Sequence, residues 1–556
     1  MIVFVVLVSI LIFIIGYIGY GTFIFKQTNL DDSCATPACA INDGVDYVPA
    51  KPFLLLGQHF SAIAAAGPIV GPILAGIWFG WLPALLWIIV GAIFIGGVHD
   101  FFSLTASLKH RASSIGEIIK ENMSSRSHVL FLIFVFFALE YVIIAFTDIT
   151  AQTFKFTMDN TPFGPGVAAS SCLYLLASVV MGIMLYKYKF NLATLTIIFL
   201  PIVLLIIWIG PRLPQPLITL LSSVSVKKWD TILLIYCYVA SVIPVWLLLQ
   251  PRGYLGGWLL YLTLIVGLIG ALFGGFKIEY PAFNLEGLQS LTNGKLMFPL
   301  LFITVACGAC SGFHAIVSSG TTSKQLDKES SARIIGYGTM LLEGVVAVLA
   351  LATVMMLPKG DEMLKGDPNL IYANGIAKYI GLFGIGFKAA FPFALLAFST
   401  FVYDTLDVCT RLARYVLQEL LGWKSKKSGY IATFITLALP FMFLMLTKEK
   451  GYISAWPIFG TSNQLLASLT LLAISVWLIK GGKRAFYTVL PMLFMLIVTT
   501  WSLLLQIIAF IKVLPDVFAG VTVKSDIVIS GVVGIILMAS SLFFVKEVFV
   551  TLKSRK

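Results

Sequence analysis

Five acids stand where apolar sequence would bury them: Glu140, Asp148, Glu343, Asp404 and Asp407. An ionisable group at membrane depth is expensive and faces the protein interior. A carboxylic acid holds its proton more tightly once water is removed from it, which is the chemistry a proton-coupled carrier requires. Glu140 and Asp148 are eight residues apart, two helical turns on one face. Glu343 lies in GYGTMLLEGVVAVLA, where it either binds a proton or anchors a helix. Asp404 and Asp407 precede Arg411 and Arg414, and the i,i+4 spacing of Asp407 and Arg411 predicts an ion pair at the inner rim. Glu140 and Glu343 therefore suit proton coupling better. His59, His99, Asp100 and His314 are further polar candidates for the interior. As sequence neighbours on a helix, His99 and Asp100 are expected to point apart.

Other reactive constellations lack their context. CGAC at 307–310 has CxxC spacing but no second pair, so Cys307 and Cys310 with the histidines predict no zinc or iron–sulfur site. GLFGIG at 381–386 has no preceding strand, and no serine elbow or P-loop is visible. The expectation is no enzyme, no cofactor and no ATP-driven step; a gradient of protons or of sodium is the simpler energy source. Cys34 and Cys39 share a polar loop in which a disulfide could form.

The elements that must position these groups are interrupted helices. GQHFSAIAAAGPIVGPILAGIWFG carries Gly67-Pro68 and Gly71-Pro72 one turn apart. Each proline removes a donor, and each glycine permits an opened backbone. Freed carbonyls at membrane depth are tolerable only against protein or a water-filled cavity. Residues 66–72 are thus predicted to break a helix that lines a translocation path. YVASVIPVWLLLQPRGYLGGW is similarly expected to be broken at Pro244, with Gln250 and Arg252 at its inner end; Arg252 and the broken second span at 66–72 could contribute to an anion site. The run LMFPLLFITVACGACSGFHAIVSSGTTSKQ offers small residues for close packing and a path that includes Ser311 and His314.

Composition sets the frame for all of this. Of 556 residues, 59% are hydrophobic and only 12% charged, against roughly 25% charged in soluble domains. Runs of about 20 apolar residues, enough to cross the hydrocarbon layer, recur at 2–24, 56–77, 80–102, 129–151, 167–186, 191–210, 230–250, 254–274, 297–319, 334–357, 379–402, 429–446, 455–479, 486–510 and 527–549. The fold class is therefore an all-α polytopic membrane protein of about fifteen transmembrane helices, surrounded by lipid. Helices 2–6 and 7–11 would form two inverted five-helix repeats with broken first members. Residues 1–55 hold the first helix and a polar loop, 56–420 the core (repeats at about 56–210 and 230–402), and 421–556 additional helices. The N-terminal run has no basic flank or cleavage site, so it is a retained span. Basic clusters from Lys109 to the tail VKEVFVTLKSRK, with Lys227 and Lys228 as exceptions, fall on one side if the N-terminus is outside and the C-terminus inside. The net charge of +12 is divided among short loops, which excludes nucleic acid as a partner.

At GQHFSAIAAAGPIVGPILA, ASVIPVWLLLQPRGYL, CGACSGFHAIVSSGTTSKQL, TLDVCTRLARYVLQEL and WPIFGTSNQLLASL the chain resembles the carbon starvation protein CstA family of bacterial inner-membrane transporters, in its shorter form. The resemblance implies uptake of peptides or pyruvate, coupled to a cation, with protons first. It also implies a core like that of the amino acid–polyamine–organocation transporters. Gly67, Pro68, Gly71, Pro72, His314, Asp407 and Arg411 match family positions, while Gln58 stands where a second histidine is usual. The competing function classes are a membrane channel or sensor, or a sodium-coupled carrier of another small nutrient.

Overall fold

A computed structural model describes residues 2–64, 66–157, 162–284, 296–447, 451–519, 523 and 525–553. Among them the backbone is helical, with no strand beyond an isolated bridge between Ala50 and Leu326. Among the described residues twelve helices are long and apolar enough to cross a membrane, thirteen if the bent pair Pro52–Ile63 and Gly67–Phe79 counts as one span, where the apolar runs predict about fifteen. In chain order the helices used below are α1 (Ile2–Phe25), α2 (Pro52–Ile63), α3 (Gly67–Phe79), α4 (Trp81–Lys109), α5 (Ser125–Lys155), α6 (Phe163–Lys187), α7 (Leu192–Ile209), α8 (Val226–Val242) and α9 (Leu249–Phe273). They continue as α10 (Met297–Thr304), α11 (Gly312–Val317), α12 (Glu329–Met355), α13 (Pro368–Gly381), α14 (Phe387–Leu421), α15 (Lys426–Leu446), α16 (Gly451–Lys480), α17 (Phe486–Phe518) and α18 (Ser525–Lys553).

Each of the fifteen apolar runs contains helix, but four are not plain spans; the run 379–402 starts in the last residues of α13 and crosses a non-helical stretch at 382–386 into α14. α2 and α3 form one bent pair, at 43°. The bend precedes the Gly-Pro pairs instead of falling on them: α2 ends at Ile63 and α3 already starts at Gly67, with Pro68 in its first turn and only Pro72 in its interior. The reason is local. A first-turn proline has no intrahelical acceptor to forfeit and a φ suited to helix, so Gly67-Pro68 starts a helix there.

The second correction concerns Pro244. α8 is an unbroken helix of 17 residues that stops at Val242, and Pro244 lies in the link to α9, where its missing N–H costs nothing. The second interrupted span is instead the ninth. α10 ends at Thr304 and α11 begins at Gly312, so CGAC sits in the non-helical gap at 305–311 and not in a helix. Cys34 and Cys39 are both free and exposed.

The two interruptions face one another. A Cβ on Gly67 would lie 2.3 Å from Cys307 Sγ, and one on Gly71 would lie 2.4 Å from the Thr304 carbonyl oxygen. Glycine is required at both because backbone meets the rim of the other gap. Around this contact α9 packs on α2 and α16 on α11. α5 runs along α14, α8 leans on α5 and α15 on α14, and α8 also meets α15. α12 covers α3, and α4 covers the turn after α11. α6 pairs with α7.

The loops predicted to carry cytoplasmic charge gather at one end. Lys109 Nζ binds Glu329 at 2.9 Å, Asp32 accepts from Ser330 N at 2.8 Å, and Lys480 Nζ donates to the Asn122 carbonyl.

Candidate functional site

The sequence candidates separate into two buried clusters and several isolated groups. The first cluster lies beside the paired interruptions. Asp100 of α4 accepts at Oδ1 from His99 Nδ1 (2.7 Å) and contacts His314 Nδ1 of α11 through Oδ2 (2.8 Å). His314 turns its other ring nitrogen, Nε2, to within 3.3 Å of Glu343 Oε2 on α12. All four side chains are fully buried. His99 and Asp100 therefore do touch, contrary to expectation: adjacent helical side chains leave on different faces, but a ring nitrogen and a carboxylate can bend together over the short Cβ–Cβ distance. The result is a line from Asp100 through an imidazole to Glu343. An imidazole between two acids can pass a proton by accepting at one nitrogen and donating from the other. The approach to Glu343 lacks hydrogen-bond alignment, and neither Glu343 oxygen has a hydrogen-bond partner among the described residues. Glu343 is thus the end of the line with spare bonding capacity.

His59 of α2 lies nearby but has a different partner, Thr322 Oγ1 at 2.8 Å. Ser311 opens α11 and exchanges hydrogen bonds with Asn463 of α16, at 3.2 Å to Oδ1 and 3.0 Å from Nδ2. Asn463 Oδ1 also accepts from Phe313 N at 2.9 Å, and its Nδ2 reaches Cys307 Sγ at 3.4 Å. On the other rim Gln464 Nε2 donates to the Phe302 carbonyl at 2.5 Å, while Trp87 Nε1 donates to Val305 at 3.0 Å. These bonds take up backbone groups that the interruption frees, as burial demands. Among the described residues no group of three or more His, Cys, Asp and Glu side chains is arranged to hold a metal ion.

The second cluster centres on Arg252, in the first turn of α9. Its Nε lies 2.5 Å from Asp404 Oδ1, Nη1 lies 2.6 Å from Asp407 Oδ2, and Nη2 donates to Asp407 Oδ1 at 2.7 Å. Nη2 also reaches the Tyr403 carbonyl at 3.2 Å, and Tyr236 OH donates to Asp407 Oδ2 at 3.0 Å. Ser61 of α2 bonds Asp404. The predicted Asp407–Arg411 pair is replaced: Asp407 faces Arg252 across the helix interface. Arg411 Nη2 donates to Ala240 O (2.8 Å) and Ile243 O (2.5 Å), and Arg414 Nη1 to Ser241 O (2.7 Å). Both guanidinium groups thus cap the C-terminal carbonyls of α8, which Pro244 prevents from continuing. Cations are favoured at a helix C-terminus, so the cap outcompetes the same-helix pair. Arg252, a sequence candidate for an anion site, is already engaged by two carboxylates.

The remaining candidates stand apart. Glu140 is buried on α5 with no hydrogen-bond partner for either oxygen among the described residues. Asp148 accepts from Gln152 Nε2 at 3.2 Å. Gln250 Nε2 donates to Gln325 Oε1 at 2.7 Å. Sequence reasoning missed Asn463, Gln464, Tyr236 and Ser61. The polar run TSNQ inside the apolar span 455–479 was the available signal for the first two.

A family model described as Carbon starvation protein CstA matches residues 1–368 and 362–502. The chain is 33% identical to Peptide transporter CstA of Helicobacter pylori (strain ATCC 700392 / 26695), covering 90% of this chain and 82% of that protein. It is 31% identical to Pyruvate/proton symporter BtsT of Escherichia coli (strain K12), covering 90% and 81%. It is 30% identical to Peptide transporter CstA of Bacillus subtilis (strain 168), covering 87% and 86%.

Proposed function

The chain belongs to the carbon starvation protein CstA family, and from that premise we propose that it imports peptides or pyruvate across the bacterial inner membrane, driven by protons. The observation that carries the coupling is the buried Asp100–His314–Glu343 line beside the two interrupted spans. The names of its relatives support both solutes, and the symporter among them supports protons over sodium. In this reading the interruptions form the translocation centre, and His314 carries the proton between Asp100 and Glu343.

The packing supports a revised repeat. α2–α3, α4, α5, α8 and α9 form one five-helix set; α10–α11, α12, α14, α15 and α16 form the other. Exchanging the sets returns the same neighbours, with α5 against α14 and α8 against α15 on the axis. α6 and α7 are then a hairpin inserted in the first set, and a hairpin leaves the direction of the later helices unchanged. The basic loops at one end support an outside N-terminus and an inside C-terminus.

Counterflow in proteoliposomes, with labelled alanine dipeptide and labelled pyruvate, tests the reading. Saturable exchange of either solute, and its accumulation under an imposed pH gradient, is expected. Folded protein that exchanges neither would refute the proposal. Accumulation that follows sodium and ignores the pH gradient would remove the proton.

A further inference from the structure

A partly polar cavity opens at the loop end of the bundle, lined by none of the residues of the two buried clusters. Its volume is about 220 Å³, and its wall includes Tyr47, Ser113, Ser319, Lys324, Tyr415 and Glu419. The exposed Glu117 also lines it, which marks the mouth. Lys324 follows the turn that extends α11, so the cavity lies directly beyond the interrupted ninth span.

Lys324 is the unusual member. Its Nζ lies 4.8 Å from the ring centroid of Tyr415 and 5.5 Å from that of Tyr47. Asp43, Asp46 and Glu419 are all within electrostatic reach, yet each carboxylate is held by other donors. Asp43 Oδ1 accepts from the backbone N–H groups of Val45, Asp46 and Tyr47, each at 2.9 Å. Asp46 takes the Tyr415 hydroxyl and lies 3.7 Å from Arg411 Nη1. Glu419 is fastened by His128 Nε2 at 2.7 Å and by Ser114 Oγ at 2.9 Å. Among the described residues no carboxylate pairs with the Lys324 ammonium at contact distance. Burial pushes that amine below the ordinary lysine range, so an anion arriving from outside the protein would recover interaction that the fold leaves unmade. The hydroxyls of Ser114 and Ser319 are already donating, to Glu419 and to Ala315 O, and Lys324 is the cationic donor of the described wall.

We propose that this cavity is a carboxylate subsite, in which Lys324 takes the anionic end of the transported solute between the rings of Tyr47 and Tyr415. The proposal rests on the transport reading above and adds to it a binding group on the loop side of the interruption. A 2-oxo acid and the C-terminus of a peptide share this chemistry. The volume falls below the roughly 300–1,000 Å³ of pockets for drug-sized ligands, which suits a three-carbon acid or the end of a dipeptide.

The test measures binding of sodium pyruvate, L-alanyl-L-alanine and L-alanyl-L-alanine amide to the purified full chain, as parent, Lys324→Met and Lys324→Arg. Lys324→Met should raise the Kd of the carboxylate ligand at least tenfold, with Lys324→Arg within about threefold of the parent. The amide should respond equally weakly to all three. Sensitivity confined to pyruvate identifies the oxo acid as the source; sensitivity of the dipeptide but not its amide identifies the peptide terminus. As a readout that needs no variant, a saturating carboxylate ligand should slow acylation of Lys324 in the parent, followed by peptide mass spectrometry. Equal Kd values in parent and Lys324→Met, or unchanged acylation in saturated parent, overturn the subsite while leaving transport intact. A folded parent that neither binds nor exchanges any of these solutes removes the transport reading, and the subsite with it.

Discussion

Replacing Arg252 by glutamine should destabilise this protein more than any single acid substitution in the same cluster. The side chain is fully buried and holds Asp404 and Asp407 through three of its nitrogens. Removing one partner of a buried ion pair costs about 3–5 kcal/mol, because the other charge is left uncompensated. Here two carboxylates are stranded, with the Tyr236 and Ser61 hydroxyls as their remaining contacts, which places the cost near the top of that range. At about 1.4 kcal/mol per tenfold, the folded-to-unfolded ratio should fall on the order of a thousandfold. Asp407→Asn, which loses two contacts to Arg252, should cost more than Asp404→Asn, which loses one. Equilibrium unfolding of purified protein in mixed micelles would give each value. The Arg252→Gln/Asp407→Asn double variant should be less harmful than the two singles added, with a coupling within about 0.5–3 kcal/mol. A loss below about 1 kcal/mol for Arg252→Gln, or strict additivity in that cycle, would refute the reasoning.

Glu343→Gln should cut proton-driven accumulation at least tenfold while leaving counterflow, and Glu140→Gln, whose acid touches no imidazole, should cut it less; equal losses under one imposed pH gradient would deny the distinction. Asn463→Ala strands the buried Phe313 N–H and should cost about 1–3 kcal/mol, read as a lowered unfolding midpoint. Gly71→Ala puts a methyl 2.4 Å from the Thr304 carbonyl and should cost about 1–3 kcal/mol through overpacking. Gly381→Ala, which meets nothing within 4 Å, should leave the midpoint level or slightly raised, and a like fall in both would argue against the close crossing.

Helix existence was legible because lipid asks for a simple pattern: each of the fifteen apolar runs contains helix, although only twelve helices among the described residues, thirteen with the bent pair, are long and apolar enough to span. Where a helix stops was less so. Gly-Pro reads equally as a break or as a first turn, and only the neighbouring Cys307 side chain and Thr304 carbonyl explain why Gly67 and Gly71 must be glycine. The candidate residues were readable as buried ionisable groups, since burial follows from hydropathy. Their partners were not, because every decisive contact joins distant segments. Asp407 met Arg252 from 155 positions away and not the nearby Arg411, which had carbonyls of α8 to satisfy. His99 and Asp100 show the opposite error, in which a rule about helix faces underrated two flexible side chains. Asn463 and Gln464 were visible as polar letters in an apolar run, without any hint of what they would hold.

Those two side chains set the width of the gap in the ninth span. Gln464 grips the rim at Phe302 and Asn463 grips the rim at Phe313, and both project from the same turn of α16. The half-helices are thereby tied to a common post. A cycle that changes the angle between them must either carry that post along or trade these bonds for others, so the timing of access could be governed from a helix outside both interruptions.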